Sequence, residues 1–221
     1  MPDPISKMPS QQLKMHISRQ VSCLLRQYHD NTPRGVATLA QLRRIDDRDP
    51  VLNPEVSGLV LADFPIDLSG QGDELSRAEL AALCALHLFA IHQQGRPDPM
   101  HKSSERFGAA VRTLALRRGI QGTPDEATVS RFNRLCRAST HTTRARQLRG
   151  LVQQMRGENI ALDYGQLASD VFDLLSPSSR SRVHLRWARD FHHSPSRPSG
   201  EAAAPTAPQS PAEYQTTQEP S

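Results

Sequence analysis

The sequence predicts an all-α protein, because apolar residues recur at steps of three and four residues in one segment after another. Several of these segments begin at residue pairs typical of a helix N-terminus, and proline or glycine separates many of them. No segment shows the alternation of apolar and polar residues that marks a half-buried strand. We therefore expect a compact bundle of about eight helices, packed as one unit or as two sub-bundles.

The first half of the chain contains three of these predicted helices. An apolar stripe covers about residues 13–28, and Thr32 followed by Pro33 is typical of a cap that opens a second helix ending near residue 44. Ser76 and Glu79 form a capping box ahead of a run that is apolar on nearly all sides, which indicates a central core helix. Residues 45–75 contain three prolines and three glycines, so we expect an irregular connection there.

Five further helices are predicted in the second half. One spans about residues 103–118 and stops at Gly119, and another carries an apolar stripe that ends at Gly157. Cap residues with a polar partner three positions later, or followed by proline, mark the other three starts, at Thr123–Pro124–Glu126, Asp163–Gln166 and Ser176–Pro177. On the last helix Trp187 shares its face with Val183 and Phe191, so we expect its side chain to be buried.

The chain divides by composition into residues 1–193 and residues 194–221. The second part is rich in proline, alanine and serine and has too few apolar side chains to offset the entropy of ordering, so we expect a disordered tail. The isolated cysteines Cys23, Cys84 and Cys136 fit buried thiols in a reducing compartment. With neither a run of 18 apolar residues nor a signal-peptide pattern, we expect a cytoplasmic protein that does not associate with membranes.

Basic residues are concentrated in the second half of the helical part. Arginine supplies 24 of the 27 basic residues, and residues 101–193 hold 16 Lys/Arg against 8 Asp/Glu. Residues 1–100 are close to neutral, with 10 basic and 12 acidic side chains. A basic region of this kind is typical of proteins that bind phosphate backbones, and guanidinium groups can hold a phosphate through two hydrogen bonds.

The arginines of the basic half recur at helical spacing, opposite the apolar residues. They form three stripes, which are Arg131, Arg134 and Arg137; Arg146, Arg149 and Arg156; and Arg182, Arg186 and Arg189. Few carboxylates share these stripes, although solvated faces in a protein from a GC-rich genome would look similar. Most aromatic residues lie on apolar faces, so we expect contacts to the nucleic-acid backbone rather than base stacking.

No motif of a catalytic or metal site is present. The sequence has no nucleophile elbow, no glycine-rich phosphate loop and no carboxylate cluster. His29 and Asp30 lack a second histidine–aspartate set, and His87 and His92 fall on different faces of their helix. We therefore expect neither an enzyme nor a bound metal or cofactor.

Six strings along the chain together resemble one known family. They are ATLAQLRR (37–44), ALHLFAIHQQ (85–94), RFGAAVRTLALRR (106–118), RFNRLCRA (131–138), QLRGLVQQMRGENIALDYGQLASDVFDL (147–174) and RVHLRWARDF (182–191). In this order they are similar to the CasB family, the small subunits of the type I-E CRISPR surveillance complex, Cascade. The resemblance covers about residues 20–193, and the family suggests no role for the tail.

The resemblance implies a non-catalytic, all-helical subunit present in two copies beside the backbone and large subunits. It also implies contact with the guide RNA–target DNA hybrid and with the displaced single-stranded DNA. The basic residues of the matching strings are then candidate nucleic-acid ligands, and stripe geometry adds one more, giving Arg43, Arg44, Arg106, Arg112, Arg131, Arg134, Arg149 and Arg189 with Arg146. The alternative is a helical adaptor whose basic face binds an acidic protein.

Overall fold

Nine α-helices and one short 3-10 helix form the architecture of residues 8–45 and 54–193, the ranges that this computed structural model describes. The helices are α1 (Pro9–His29), α2 (Pro33–Leu42), α3 (Pro54–Leu61), α4 (Arg77–Gln93), α5 (Phe107–Arg118), α6 (Glu126–Arg137), α7 (His141–Gly157), α8 (Tyr164–Leu174) and α9 (Pro177–His192), with the 3-10 helix at Ile66–Leu68. Within these ranges the only β-type pairing is two isolated bridges. The predicted all-α class is confirmed, and the predicted tail lies outside the described residues.

Local capping signals place most helix starts correctly. The Thr32 hydroxyl accepts the Gly35 backbone N–H at the start of α2, and the predicted capping box of α4 is present. The predicted cap of α6 at Thr123 is wrong. The helix begins at Glu126, and Asp125 is its cap, with a carboxylate that accepts the backbone N–H of Thr128. Hydrogen bonds from Thr128 hold the pKa of Asp125 below its ordinary value.

Two further differences from the predicted elements have physical causes. The helix α5 starts at Phe107 rather than near residue 103, because backbone groups of Lys102 and Glu105 are hydrogen-bonded to the segment just before α8. The helix α3 lies inside residues 45–75, where an irregular connection was expected. Pro54 occupies its first position, which tolerates proline, and Val56 and Val60 one turn apart are fully buried.

The central helix of the fold is α4, as its sequence predicted. Every residue from 81 to 93 is buried, and the helix packs against α1, α2, α3, α7 and α8. A second close pair is α1 with α8, where a Cβ at Gly165 would lie 2.0 Å from the Ser18 hydroxyl oxygen. Glycine at this position therefore allows the two helix backbones to approach closely.

Aromatic side chains join α5, α6 and α9, three helices of the basic half of the chain. The Trp187 side chain is fully buried, as predicted, and its ring centroid lies 4.6 Å from that of Phe107. The Phe132 and Phe191 rings stack at 5.4 Å. A Cβ at Gly108 would lie 2.3 Å from the Trp187 carbonyl oxygen, so this glycine sets the distance between α5 and α9. Most of the buried apolar residues form one continuous cluster.

The three cysteines do not share one environment. Cys84 is buried, and burial raises the pKa of the half-buried Cys136 thiol to about 11. The expectation for Cys23 was wrong, since it is exposed on the outer side of α1. Among the described helices, none is both long and apolar enough to cross a membrane.

Candidate nucleic-acid interface

Two packed helices carry four of the predicted ligands, and we call this set the α6–α7 face: Arg131 and Arg134 on α6, with Arg146 and Arg149 on α7. The two helices meet at Gly150, one turn after Arg146. A Cβ at this glycine would lie 2.9 Å from a terminal nitrogen of Arg131. The missing side chain thus allows the Arg131 guanidinium to lie against α7 at this glycine.

The arginines of the α6–α7 face differ in how much solvent they meet. Arg134 and Arg146 are exposed and form no hydrogen bond or ion pair with any residue in the described ranges. Arg131 and Arg149 are half-buried, and the Nε atom of Arg131 is buried without a hydrogen-bond acceptor among the described residues. Each of the two predicted stripes has one further member: Arg137, which is exposed, and Arg156, which is half-buried.

A second basic surface is an open groove of about 410 Å³ beside the outer face of α9, which we call the α9 groove. Its lining consists of Arg106, Arg182, Leu185, Arg186, Arg189 and Asp190. Two predicted ligands, Arg106 and Arg189, therefore share a site with two arginines of the predicted α9 stripe. One terminal nitrogen of Arg106 lies 3.5 Å from an Asp190 carboxylate oxygen.

One arginine of the groove, Arg186, is hydrogen-bonded to a buried carboxylate. Asp170 of α8 is 1% exposed and accepts hydrogen bonds from Arg186 at 2.6 Å, Trp187 Nε1 at 2.5 Å and Gln166 at 2.8 Å. Burial raises the pKa of Asp170, an effect that the Arg186 charge and these hydrogen bonds oppose. Few carboxylates share the α9 stripe itself, but Arg186 has an acidic partner on another helix. An aspartate on the apolar side of α8 was the available signal in the sequence.

The remaining predicted ligands lie elsewhere. Arg112 of α5 donates to the Phe191 carbonyl oxygen at 3.0 Å, so it joins α5 to the end of α9. Arg43 and Arg44 follow α2, which packs against α1, α3 and α4. Arg44 is exposed, whereas burial lowers the pKa of the half-buried Arg43. The nine candidates therefore do not form one continuous site.

Five arginines, Arg112 among them, contact helix ends, a role that the sequence did not reveal. Arg144, only 4% exposed, donates to the carbonyl oxygens of Ala138 and Ser139 at 3.0 Å each. The same kind of contact to the last carbonyls of a neighbouring helix is made by Arg96 to Gly157, Arg112 to Phe191, Arg117 to Glu158 and Arg180 to Leu174. Cations are favourable at helix C-termini, so these five arginines stabilise packing.

Two comparisons place the chain among known proteins. A family model described as CRISPR-associated protein Cse2 matches residues 38–192. The crystal structure of CasB from Thermobifida fusca is similar, with 33% sequence identity, a TM-score of 0.69, and coverage of 82% of this chain and 98% of that chain. No curated protein sequence matches significantly.

Proposed function

The chain belongs to the CRISPR-associated Cse2 family and is a subunit of the Cascade complex of CRISPR interference, and from this premise we propose that its arginine surfaces bind nucleic acid within that complex. The family match confirms the resemblance found in the sequence strings. The ligands we propose are the guide RNA–target DNA hybrid and the displaced single-stranded DNA, with the α6–α7 face as the principal contact. We propose that the chain acts as a structural subunit of the complex and catalyses no reaction.

The observation that carries this proposal is the pair of exposed guanidinium groups at Arg134 and Arg146. Neither is engaged by a carboxylate among the described residues, so both retain their donors for an external anion. Arginines that neutralise phosphates release condensed counterions, which favours binding of any sequence at low salt. A strand held in this way would be less able to re-anneal with its complement, which would stabilise the open target DNA.

Aromatic burial supports contacts to the phosphate backbone rather than to bases. Trp187, Tyr164, Phe89 and Phe107 are almost completely buried. Single-strand binders that stack bases need exposed aromatic rings, and these rings are committed to the core. Recognition by this chain should therefore be nearly independent of base sequence and strongly dependent on salt.

The near-neutral residues 1–100 suggest a different task. We propose that they pack against the backbone and large subunits of the complex and against a second copy of the chain, in the cytoplasm. Residues 1–193 would then act as one helical unit with a packing half and a nucleic-acid-binding half. Residues 194–221 have no proposed role.

The direct test is a double variant, Arg134→Gln with Arg146→Gln, titrated with single-stranded DNA over a range of salt concentrations. We expect weaker binding for all sequences alike, and a log–log salt dependence that is shallower by about 0.7 for each lost phosphate contact. The fold should survive, because both side chains are exposed. Circular dichroism checks this point.

The matched control is Arg26→Gln with Arg34→Gln, which removes the same charge from exposed positions in the near-neutral half. Its binding should stay close to that of the unchanged protein. Equal weakening by both double variants would mean that net charge, and not the α6–α7 face, determines affinity. Unchanged affinity and slope in a folded α6–α7 variant would favour the helical adaptor with an acidic protein partner.

A further inference from the structure

The α9 groove presents its arginines in a different way from the α6–α7 face. Arg182, Arg186 and Arg189 are spaced by four and three residues, so they share one side of α9. Arg106, at the residue before α5, forms part of the same lining. Four arginines thus line one open space; Asp190 is the carboxylate in that lining, and the nearby Asp173 interacts electrostatically with Arg182 and Arg186.

Arg186 is the central arginine of the groove, and a hydrogen bond to the protein core fixes its position. One terminal nitrogen of Arg186 donates to the buried Asp170, while 30% of the Arg186 side chain stays exposed. Asp170 is itself fixed by Gln166 and Trp187, both through hydrogen bonds within the core. A side chain held in this way loses less conformational entropy when a ligand binds than a mobile surface arginine does.

The hydrogen bonds of Arg186 are also incomplete. A guanidinium has five N–H donors, and the structure shows one bond, to Asp170. The Nε atom is buried and has no acceptor among the described residues. That buried atom is out of reach of a ligand, but the exposed terminal N–H groups of Arg186 that do not bind Asp170 remain available to an acceptor that enters the groove.

We propose that the α9 groove holds one phosphate group of a nucleic-acid strand, with Arg186 as its central donor, Arg182 and Arg189 beside it, and Asp170 as the positioning residue that presents Arg186. This inference rests on the proposed function for the class of ligand. It adds a discrete site and assigns ligand roles to Arg182 and Arg186 and a positioning role to Asp170. A phosphodiester has the single negative charge and the paired oxygens that a fixed guanidinium fork can bind.

The test uses Arg186→Lys and Asp170→Asn in the full chain, with fluorescent oligothymidylate and oligouridylate of equal length as probes. Arg186→Lys conserves the charge but loses the fork, and we expect about tenfold weaker binding to both probes. Asp170→Asn makes the groove more positive, so a purely electrostatic role would strengthen binding. We expect it instead to weaken binding by several-fold, because Arg186 is no longer held in place.

The control is Arg26→Lys, an exposed substitution on α1 that should change neither fold nor affinity. Circular dichroism melting reports whether each variant is folded, and if Asp170→Asn does not fold, Arg186→Lys decides. Unchanged affinity in folded Arg186→Lys, or stronger binding by folded Asp170→Asn, would overturn the inference. If the groove variants bind the probes with unchanged affinity while Arg134→Gln with Arg146→Gln weakens binding, the proposed function stands and only the groove site is refuted.

Discussion

His92 makes the stability of this fold depend on pH in a way that can be measured. Its side chain is fully buried, and Nδ1 lies 2.7 Å from the Tyr164 hydroxyl oxygen. Burial, together with the positive charges of Arg96 and Arg156, lowers the pKa of His92 from 6.5 to about 3. The folded chain therefore holds the neutral imidazole throughout the mildly acidic range.

The size of the effect follows from linkage between protonation and folding. Between pH 6.5 and about 3 the unfolded chain binds a proton at His92 that the folded chain does not, so stability falls as the pH is lowered. One pKa unit corresponds to about 1.4 kcal/mol, which puts the full loss near 5 kcal/mol in strong acid. Between pH 7 and pH 5 the expected loss is about 2 kcal/mol.

The measurement is urea unfolding at pH 7 and pH 5, followed by circular dichroism, for the unchanged protein, His92→Gln and His193→Gln. His92→Gln cannot take up this proton, so its loss of unfolding free energy on acidification should be smaller by about 2 kcal/mol. The exposed His193 serves as the control, and its replacement should leave the loss unchanged. Equal losses in His92→Gln and the unchanged protein would refute the assignment.

Two further predictions concern packing between α5 and α9. Trp187→Ala should lower the free energy of unfolding by about 3–5 kcal/mol, because it empties a fully buried site and removes a hydrogen bond to Asp170; an unchanged denaturation midpoint would contradict the inner face of α9. Gly108→Ala should cost about 1–3 kcal/mol, since the new methyl group would meet the Trp187 carbonyl oxygen. Gly157→Ala, where the added carbon meets nothing, is its control, and equal melting temperatures for the two variants would rule out close approach as the cause.

The parts of the fold that sequence predicted are those fixed by neighbours in the chain. The caps at Thr32, Ser76 and Asp163 depend on a partner three residues away, so reading a short string is sufficient. The helix α3 was missed because eight residues flanked by prolines give too short a periodic pattern. Its stability comes from packing against α2 and α4, which the local string does not contain.

The same distinction between local features and contacts from other helices applies to the candidate site. Helical spacing correctly placed Arg134 and Arg146 on a solvent face, because that depends on one helix at a time. It could not identify the partners of Arg112 and Arg186, which come from other helices. Whether an arginine is available to a ligand depends on which helix packs beside it, and spacing within one helix carries no such information.

Because some arginines of this protein contact helix ends, its net charge alone does not describe what its basic residues do. At Arg144 two nitrogens of one guanidinium reach two successive carbonyl oxygens, a geometry that the single ammonium of lysine does not reproduce. A homologue that exchanged these arginines for lysines would keep its isoelectric point and its long-range attraction to DNA. It would lose the hydrogen bonds that join these arginines to the ends of other helices, so two chains of equal charge would differ in rigidity.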